Sequence, residues 1–490
     1  MTHVASYSVG VEFVSGSFTE IVADVRGVSI NRRAGNLFQP LSAGQMTAIL
    51  DNMDGRYSPR NTSSPYTGLI RPDLQVRVRA TFGGSTYNLF RGFIDTWTVK
   101  PALPGTRTAG FNARDRLKQL DDRTVTTSLI VATKINSFLK HMFDVASVTT
   151  ATYSVDMITD ESPFAWFRDR DLLGALQEVL GAGFYSSYVA PDGILRVRSR
   201  YWDQIANPVA SLLATATQTR GFWEMGYSLS DRDVLNDIKI EGVPRVRDSD
   251  TRTIAFLVDV PTIAASTGLG FFLTYLDPDN LEPAPADNVV TPVRSLDYKA
   301  NDAEDGSGTD RTSTMTLRAA KFGETIVLSF YNGFGATVYL TRCVVRGRSV
   351  QRRAQINVRL QQASSQAVYG RRAFAMVNDL IAERIYLQDY AEFLRLRQSD
   401  PVDRLEPFGI KNEFPFVLAR ELGDVVHIQE TNTGIAKMFT IMGIDHDIRG
   451  DGAGLEHTVQ YECEAHHDFE VLVLDDPVRG KLTSGRKLGF

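Results

Sequence analysis

Residues 50–97 constrain the fold of this chain most, because a long polar segment of unusual composition interrupts a series of strands there. The segment is LDNMDGRYSPRNTSSPYTGLIRPDLQVRVRATFGGSTYNLFRGFIDTW. Apolar residues at 48–50 predict a strand, and the Asp, Asn and Gly residues at 51–55 predict a turn, because they tolerate the backbone angles that tight turns need. Strands are predicted again at 76–80 and before Asp95, joined by a hairpin at Gly83-Gly84. The pattern therefore describes β structure carrying a polar arm over 51–72.

Length and composition indicate a soluble protein of several domains. A chain of 490 residues is too long for one core, and we expect three or four domains. The net charge of −5 gives no reason to expect nucleic-acid binding. The two cysteines lie in no CxxC motif, which argues against a disulfide framework or a zinc ribbon. The N-terminus lacks the features of a signal peptide, and no apolar run has the ~20 residues of a membrane span.

Hydrophobic periodicity divides the chain into five parts. The predicted fold is α+β and mainly β, because strand patterns dominate both ends and helical spacing of apolar residues is confined to a few segments. The predicted parts are a first β domain over 1–112, a small α/β domain over 113–225, a second β domain formed by 226–260 plus 341–465 with a long helix over 369–398, an inserted β-sandwich over 261–340, and a C-terminal tail over 466–490.

No catalytic or metal-binding motif is found in the sequence. Nucleophile elbows, HExxH, Walker A loops and GxGxxG are absent. A calcium loop aligned on Gly55 would need acids where the chain has Leu50 and Asn61, so a structural turn is favoured. Cys463 and His466 have the spacing of two metal ligands, but the alternation around Cys463 predicts a core position. We therefore predict a protein that is not an enzyme and that has no catalytic residue, cofactor or metal.

Two basic segments are candidate interaction surfaces. Residues 325–378 contain eight arginines, and this density predicts a surface that binds a protein partner. The alternatives are a surface that contacts DNA, and arginines that form ion pairs with acids elsewhere in the fold. The arm over 51–72 is stiffened by three prolines and carries Tyr and Arg residues, which are enriched where proteins anchor each other. The alternative is an arm folded over its own domain. The predicted interface residues are Tyr57, Arg60, Tyr66, Arg71, Arg346, Arg348, Arg352 and Arg353.

The arm and its flanking strands resemble the central hub proteins at the tip of bacteriophage tails. In that family a DN.DGR.SP.N..SP arm precedes L.R.G.I; the chain has the arm pattern at 51–65 and the similar sequence LFRGFI at 89–94. Shorter matches extend the resemblance over most of the chain. They are the helix and hairpin of 171–195, Asn236-Asp237-Ile238, the segment 305–310, and 369–372 with 400–401 and 422–426.

The resemblance implies two hub or tube β-barrels, with an α/β insert and an inserted β-sandwich. It implies a homotrimer that closes the tail tube, nucleates tail assembly and opens for DNA during infection. The implied partners are the distal tail protein ring, the tape measure protein, a central tail fibre or spike, and phage DNA in passage. The implied location is the virion tail tip after assembly in the host cytoplasm.

Two other functions fit the sequence. A receptor- or carbohydrate-binding tail protein would carry an exposed aromatic cluster on the 261–340 sandwich. A tail-associated cell-wall hydrolase would hold two carboxyl groups at glycosidase spacing. Because the chain ends at Phe490, soon after the last strand of the resemblance, no lytic domain is expected.

Overall fold

The structure is a computed structural model that describes most of the chain. It covers residues 5–35, 39–101, 107–202, 215–216, 222–411, 413–414, 416–450, 455–467, 471–472 and 487–488. Most of the predicted tail over 466–490 lies outside these residues.

Strands are the main element throughout the described chain, so the prediction of a mainly β fold is confirmed. The strands are β1 (Ser6–Val14), β2 (Ser17–Glu20), β3 (Val25–Arg33), β4 (Gln45–Asp51), β5 (Gln75–Phe82), β6 (Ser85–Lys100), β7 (Thr108–Arg114), β8 (Thr124–Val125), β9 (Ile130–Lys134), β10 (Tyr153–Val155), β11 (Glu161–Ala165), β12 (Arg170–Asp171), β13 (Ser186–Val189), β14 (Leu195–Arg198), β15 (Thr215–Ala216), β16 (Phe222–Ser230), β17 (Asp237–Gly242), β18 (Arg245–Arg247), β19 (Arg252–Phe256), β20 (Thr262–Ile263), β21 (Gly268–Thr274), β22 (Ala286–Val290), β23 (Tyr298–Asn301), β24 (Met315–Lys321), β25 (Thr325–Asn332), β26 (Val338–Arg352), β27 (Ile356–Gln361), β28 (Ala373–Asn378), β29 (Val402–Lys411), β30 (Val425–Glu430), β31 (Ile435–Gly450), β32 (Leu455–Ala465), β33 (Val471–Leu472) and β34 (Lys487–Leu488). The α-helices are α1 (Leu117–Asp121), α2 (Ile135–Val145), α3 (Leu172–Gly183), α4 (Ala363–Tyr369), α5 (Arg384–Gln398) and α6 (Phe416–Ala419).

The two terminal β regions form one sheet. Its main path has the order β16-β29-β32-β31-β3-β4-β7-β6-β5-β1-β2, and β30 and β15 complete thirteen strands in the described part of the chain. The join is the antiparallel pair β3–β31, which runs from Gly27 opposite Arg449 to Arg33 opposite Gly443. The prediction of two separate barrels is not confirmed: no closed barrel is found among the described residues, and β3 lies between β4 of its own region and β31 of the other.

This sheet has one apolar and one polar face. In β4 the buried residues Met46, Ala48 and Leu50 alternate with exposed ones, as a half-buried strand requires. The apolar face packs into a core drawn from both ends of the chain, with Val28 and Ile30 beside Ile444 and Ile448. The predicted first β domain and the 405–463 part of the predicted second one therefore share a single core.

A second core holds the α/β region. Helices α2 and α3 pack there with the hairpin β13–β14, and Asp171 caps α3 by accepting a hydrogen bond from the Gly174 amide at 2.6 Å. The sheet β27-β17-β28 and helix α5 belong to the same core, although they come much later in the chain.

The predicted long helix over 369–398 is shorter than expected. The helix α5 occupies only Arg384–Gln398, and Ala373–Asn378 is a strand parallel to β17. Gly370 follows α4 with φ of +70°, a conformation that ends helices. Beyond it, alternating exposure in β28 shows that this part of the apolar pattern has the period of a strand.

The inserted region forms a third core between two sheets. Six strands, β18, β19, β20, β22, β23 and β26, form one sheet, and β21-β25-β24 form the other. Their shared core includes Ile254 and Val345, which lie outside the predicted range of 261–340. The long strand β26 pairs with five strands and returns the chain to its starting point, where Arg352 lies opposite Arg245.

Candidate interaction surfaces

The arm is wound into successive turns on its own domain. Backbone hydrogen bonds of 3.0–3.1 Å connect every third residue in the order Asn52, Gly55, Ser58, Asn61, Ser64 and Thr67. Side chains support these turns, since Asn61 Nδ2 donates to the Gly55 carbonyl at 3.0 Å and Asn52 Nδ2 donates to Ser58 Oγ at 3.0 Å. The polar residues at a spacing of three thus explain the composition of this segment.

The two tyrosines of the arm hold it in place. Tyr57 is fully buried, and its hydroxyl donates to Asp24 Oδ2 at 2.6 Å. Tyr66 lies between Tyr57 and Phe13, with ring centroids 5.6 and 4.4 Å away. Both tyrosines therefore serve packing within the chain, as in the alternative of an arm folded over its own domain.

The two predicted interface arginines of the arm point to solvent. Arg60 and Arg71 are exposed, and Trp97 Nε1 holds the backbone at Arg71 by donating to its carbonyl at 3.1 Å. These two guanidinium groups are the parts of the predicted arm interface that remain available to a partner.

The arginines of 325–378 are partly used in ion pairs, as one of the alternatives anticipated. Arg346 forms a two-pronged pair with the buried Asp297, at 2.7 and 2.9 Å. Arg359 and Arg371 both contact Asp237, and together these guanidinium groups hold the pKa of that carboxyl well below its usual range.

Three predicted arginines of this segment lie in other settings. Arg348 is half-buried on the insert, while Arg352 and Arg353 are exposed at the end of β26. Arg352 lies 3.9 Å from the carboxylate of Asp379, a distance at which an exposed pair contributes little. The structure thus places the neighbouring Arg352 and Arg353 on the surface.

The polar face of the large sheet carries two rows of hydrophilic side chains. In the first row each residue lies directly opposite the next across seven adjacent strands, in the order Thr96, Asn112, Thr47, Ser29, Asp447, Thr458 and Lys411. The second row has the order Arg114, Gln45, Asn31, Asp445 and Gln460. At about 4.8 Å per strand, the first row is about 29 Å long.

Charges on this face are neutralised locally. Arg33 contacts Asp445 at 2.8 Å, Lys411 contacts Glu456 at 2.7 Å, and Arg449 contacts Asp447 at 2.6 Å. The rows therefore present hydroxyl, amide and paired charged groups, with little apolar surface.

The apolar side of the β3–β31 join contains buried polar groups. Arg32 donates to Glu421 Oε1 at 2.8 Å, and His446 Nδ1 lies 3.0 Å from His457 Nε2. Burial lowers the pKa of His457 to about 4 and that of His446 well below its usual range, so both rings are neutral near pH 7. One imidazole can then donate to the other, which satisfies polar groups at the join.

The edge strand β16 exposes large apolar side chains that the sequence analysis missed. Trp223, Tyr227 and Leu229 are each about half exposed, and β16 pairs only with β29 in the described chain. Apolar residues alternate with others over 223–229, which is the pattern of a strand. The predicted domain boundary at residue 225 divided this segment, so the strand was not recognised. A long apolar edge strand can pair with another chain.

The groups considered for metal binding are not brought together. Among the described residues, no cluster of three or more His, Cys, Asp or Glu side chains is arranged to hold a metal ion. Cys463 is buried, as its strand alternation predicted, and burial raises the pKa of its thiol. In the ranges that the structure describes, no helix combines the length and the apolar character needed to span a bilayer.

Comparison with known proteins gives matches among solved structures only. No family model matches the chain, and no curated protein matches it in sequence. A tail protein from Neisseria meningitidis MC58 is 9% identical, with a TM-score of 0.49 over 93% of this chain and 96% of that one. The 43 kDa tail protein of prophage MuSo2 from Shewanella oneidensis is 10% identical, with a TM-score of 0.47 over 93% and 96%.

A third match is prophage tail protein gp18 from Listeria monocytogenes EGD-e. It is 10% identical, with a TM-score of 0.42 over 93% of this chain and 94% of that one. The first of the three is described as a tail protein, and the other two are described as prophage tail proteins.

Proposed function

We propose that this protein is a structural hub at the tip of a bacteriophage tail, where it closes the tube, nucleates tail assembly and opens for DNA. Two observations carry this proposal. One is the pair of hydrophilic rows across the large sheet, which we call the polar ladder, and the other is the hub-like arm over 51–72. In the proposed assembly the ladder forms part of the conduit wall. The protein would act by assembly and movement, with no catalytic step.

The ladder has the chemistry that a DNA conduit requires. A wall with free Lys and Arg side chains would hold phosphates by releasing counterions, and an apolar wall would be poorly hydrated. Here hydroxyl and amide groups alternate with paired charges such as Lys411–Glu456. DNA could slide along such a surface without being bound.

Adding cations to the ladder is expected to slow DNA release. The variant Thr47→Arg/Thr458→Arg should assemble into tails of normal shape, because both side chains lie on the solvent face. It should slow DNA ejection in low salt, and added salt should relieve the effect. The measurement is the rate of DNA release from purified virions.

The matched control is Thr47→Gln/Thr458→Gln, which changes size without adding charge. Normal ejection by the arginine variant at all salt concentrations would contradict the role of this face as a conduit wall.

The proposed assembly is a homotrimer in which β16 contacts a neighbouring subunit. One end of the large sheet is the four-residue strand β2, which is short and carries Glu20 in an ion pair with Arg77. The other end is the nine-residue β16 with its three exposed apolar side chains. Burial of β16 against a second subunit would remove this apolar edge from water, and cyclic closure would limit the assembly to a ring.

Charge on this edge is expected to prevent trimer formation. The variant Trp223→Lys/Leu229→Lys should remain folded but stay monomeric, because lysine on an edge strand opposes pairing. Light scattering across a range of concentrations, with and without the partner tail proteins, measures the mass. The control Val258→Lys alters an even more exposed apolar residue, which lies on the insert. A trimer formed by the double variant, or a stable dimer formed by the unmodified chain, would refute this contact.

We propose that the other tail proteins bind to surfaces away from β16. Arg60 and Arg71 on the arm, and Arg352 and Arg353 beside the insert, are exposed groups suited to carboxylates of the distal tail protein ring, the tape measure protein or a central fibre. The proposed location is the tail tip of the virion, after assembly in the host cytoplasm.

A further inference from the structure

The outer face of the insert contains an open groove beside exposed aromatic rings. The groove has a volume of about 440 Å³ and lies over the three-stranded sheet β21-β25-β24. Tyr331, which is 48% exposed, lies opposite Gly268 at one end. Phe272, which is 81% exposed, projects from the same face of β21 two residues beyond Gly270.

The groove exists because β21 has glycine where side chains would otherwise fill it. Gly268 and Gly270 lie within the strand and lack positive φ. A Cβ at Gly270 would have nothing closer than Ser329 Oγ at 3.9 Å, so packing does not require glycine there. Glycine inside a strand weakens it and often marks close approach of a ligand.

The polar groups around the groove are free to bind. The hydroxyls of Thr316 and Ser329 line it and make no hydrogen bond to the described chain. Arg318 lies beside them, exposed, and forms no ion pair with any described residue. Arg311 and Arg346 of the insert, by contrast, are paired with Asp302 and Asp297.

We infer that this groove binds an acidic oligosaccharide. An aromatic ring packs well against the C–H face of a pyranose, while the hydroxyls of Thr316 and Ser329 suit its alcohol groups. The unpaired Arg318 adds a contact for a carboxylate or phosphate on the sugar chain. A peptide strand would instead add to a sheet edge, and this groove lies over the face.

The test is direct binding to the full-length protein. The probes are oligogalacturonate, poly(glycerol phosphate) and a neutral maltooligosaccharide of similar length, measured by calorimetry. We expect binding of at least one acidic probe, with the first two distinguishing carboxylate from phosphate. The variant Gly270→Val should weaken binding at least about tenfold, because valine fills the groove while favouring the strand.

Three further variants separate the contributions. Tyr331→Ala should also weaken binding, and Arg318→Gln should remove the preference for acidic over neutral probes. Phe256→Ala, which removes an exposed ring from the other sheet, should change nothing. All should melt like the unmodified protein.

The proposal is overturned if no acidic probe binds, or if binding persists in Gly270→Val. It is also overturned if Gly270→Val leaves sugar binding unaltered but abolishes binding of another tail protein, because the groove would then be a protein contact. Trimer formation is independent of these outcomes.

Discussion

Replacing Arg200 with leucine is expected to lower the free energy of unfolding by about 3–5 kcal/mol. Arg200 and Asp160 are each only 3% exposed and form a 2.6 Å ion pair inside the second core. Arg200 also reaches Asp389 on α5 at 2.5 Å, so it ties the α/β region to a helix encoded almost 190 residues later.

The large effect comes from the carboxylate that would be left behind. Asp160 also accepts hydrogen bonds from the hydroxyls of Tyr185 and Tyr390, and the ring of Tyr390 lies 4.7 Å from the guanidinium carbon. Without Arg200, the buried negative charge would have only neutral donors. Removing one partner of a buried pair is far more damaging than replacing both.

Urea denaturation followed by circular dichroism measures this change. The matched control is Arg170→Leu, whose ion pair with Glu178 is 59% exposed on the arginine side and should be worth no more than about 1 kcal/mol. Adding Asp160→Asn to Arg200→Leu should recover part of the loss. If Arg200→Leu and Arg170→Leu cost the same, the network does not stabilise the second core.

The second large effect is expected for Tyr57→Ala, at about 3–5 kcal/mol, the range found for large buried aromatic side chains. The substitution empties a fully buried site and removes the hydrogen bond to Asp24. It also takes away one ring from the stack with Tyr66 and Phe13. The measurement is the melting temperature and the urea midpoint of the purified chain.

The control for this prediction lies in the same arm. Arg60→Ala alters an exposed side chain and should change stability by no more than about 0.5 kcal/mol. If Arg60 contacts a neighbour, this variant should weaken assembly while melting normally. Normal melting by Tyr57→Ala would show that the tyrosine contributes little to the core, contrary to its burial.

Local features of the fold could be predicted from the sequence because short-range chemistry determines them. Gly83 and Gly84 both have positive φ at the predicted hairpin, and Gly193 does so in the predicted Pro-Asp-Gly turn. The apolar spacing after Asp171 gave α3. Each of these signals lies within a dozen residues.

Long-range pairing could not be predicted in this way. The alternation in β3 shows that Val28 and Ile30 face a core, but any strand with a similar pattern could lie beside them. Two separate barrels were therefore as consistent with the sequence as one continuous sheet. The segment at 373–378 was assigned to a helix for a related reason. It forms a strand by pairing in parallel with β17, and its own sequence does not reveal that distant partner.

The same distinction between local and long-range signals applies to the candidate surfaces. The arm was recognised from its composition, but the direction of each side chain was not, so Tyr57 and Tyr66 were expected at an interface. The polar ladder joins residues such as Thr47 and Thr458 that no local pattern connects. The insert groove depends on Gly268 and Gly270 facing the same side as Tyr331, which requires the register of β21 and β25.

The join between β3 and β31 also affects how the chain is made. During synthesis, β3 has β4 on one side and an unsatisfied edge on the other until β31 leaves the ribosome. At about 5–20 residues per second, the roughly 400 intervening residues take about 20–80 s. For that time the nascent N-terminal region exposes a strand edge competent for aggregation, so this protein is expected to depend on ribosome-associated chaperones and to tolerate premature termination poorly.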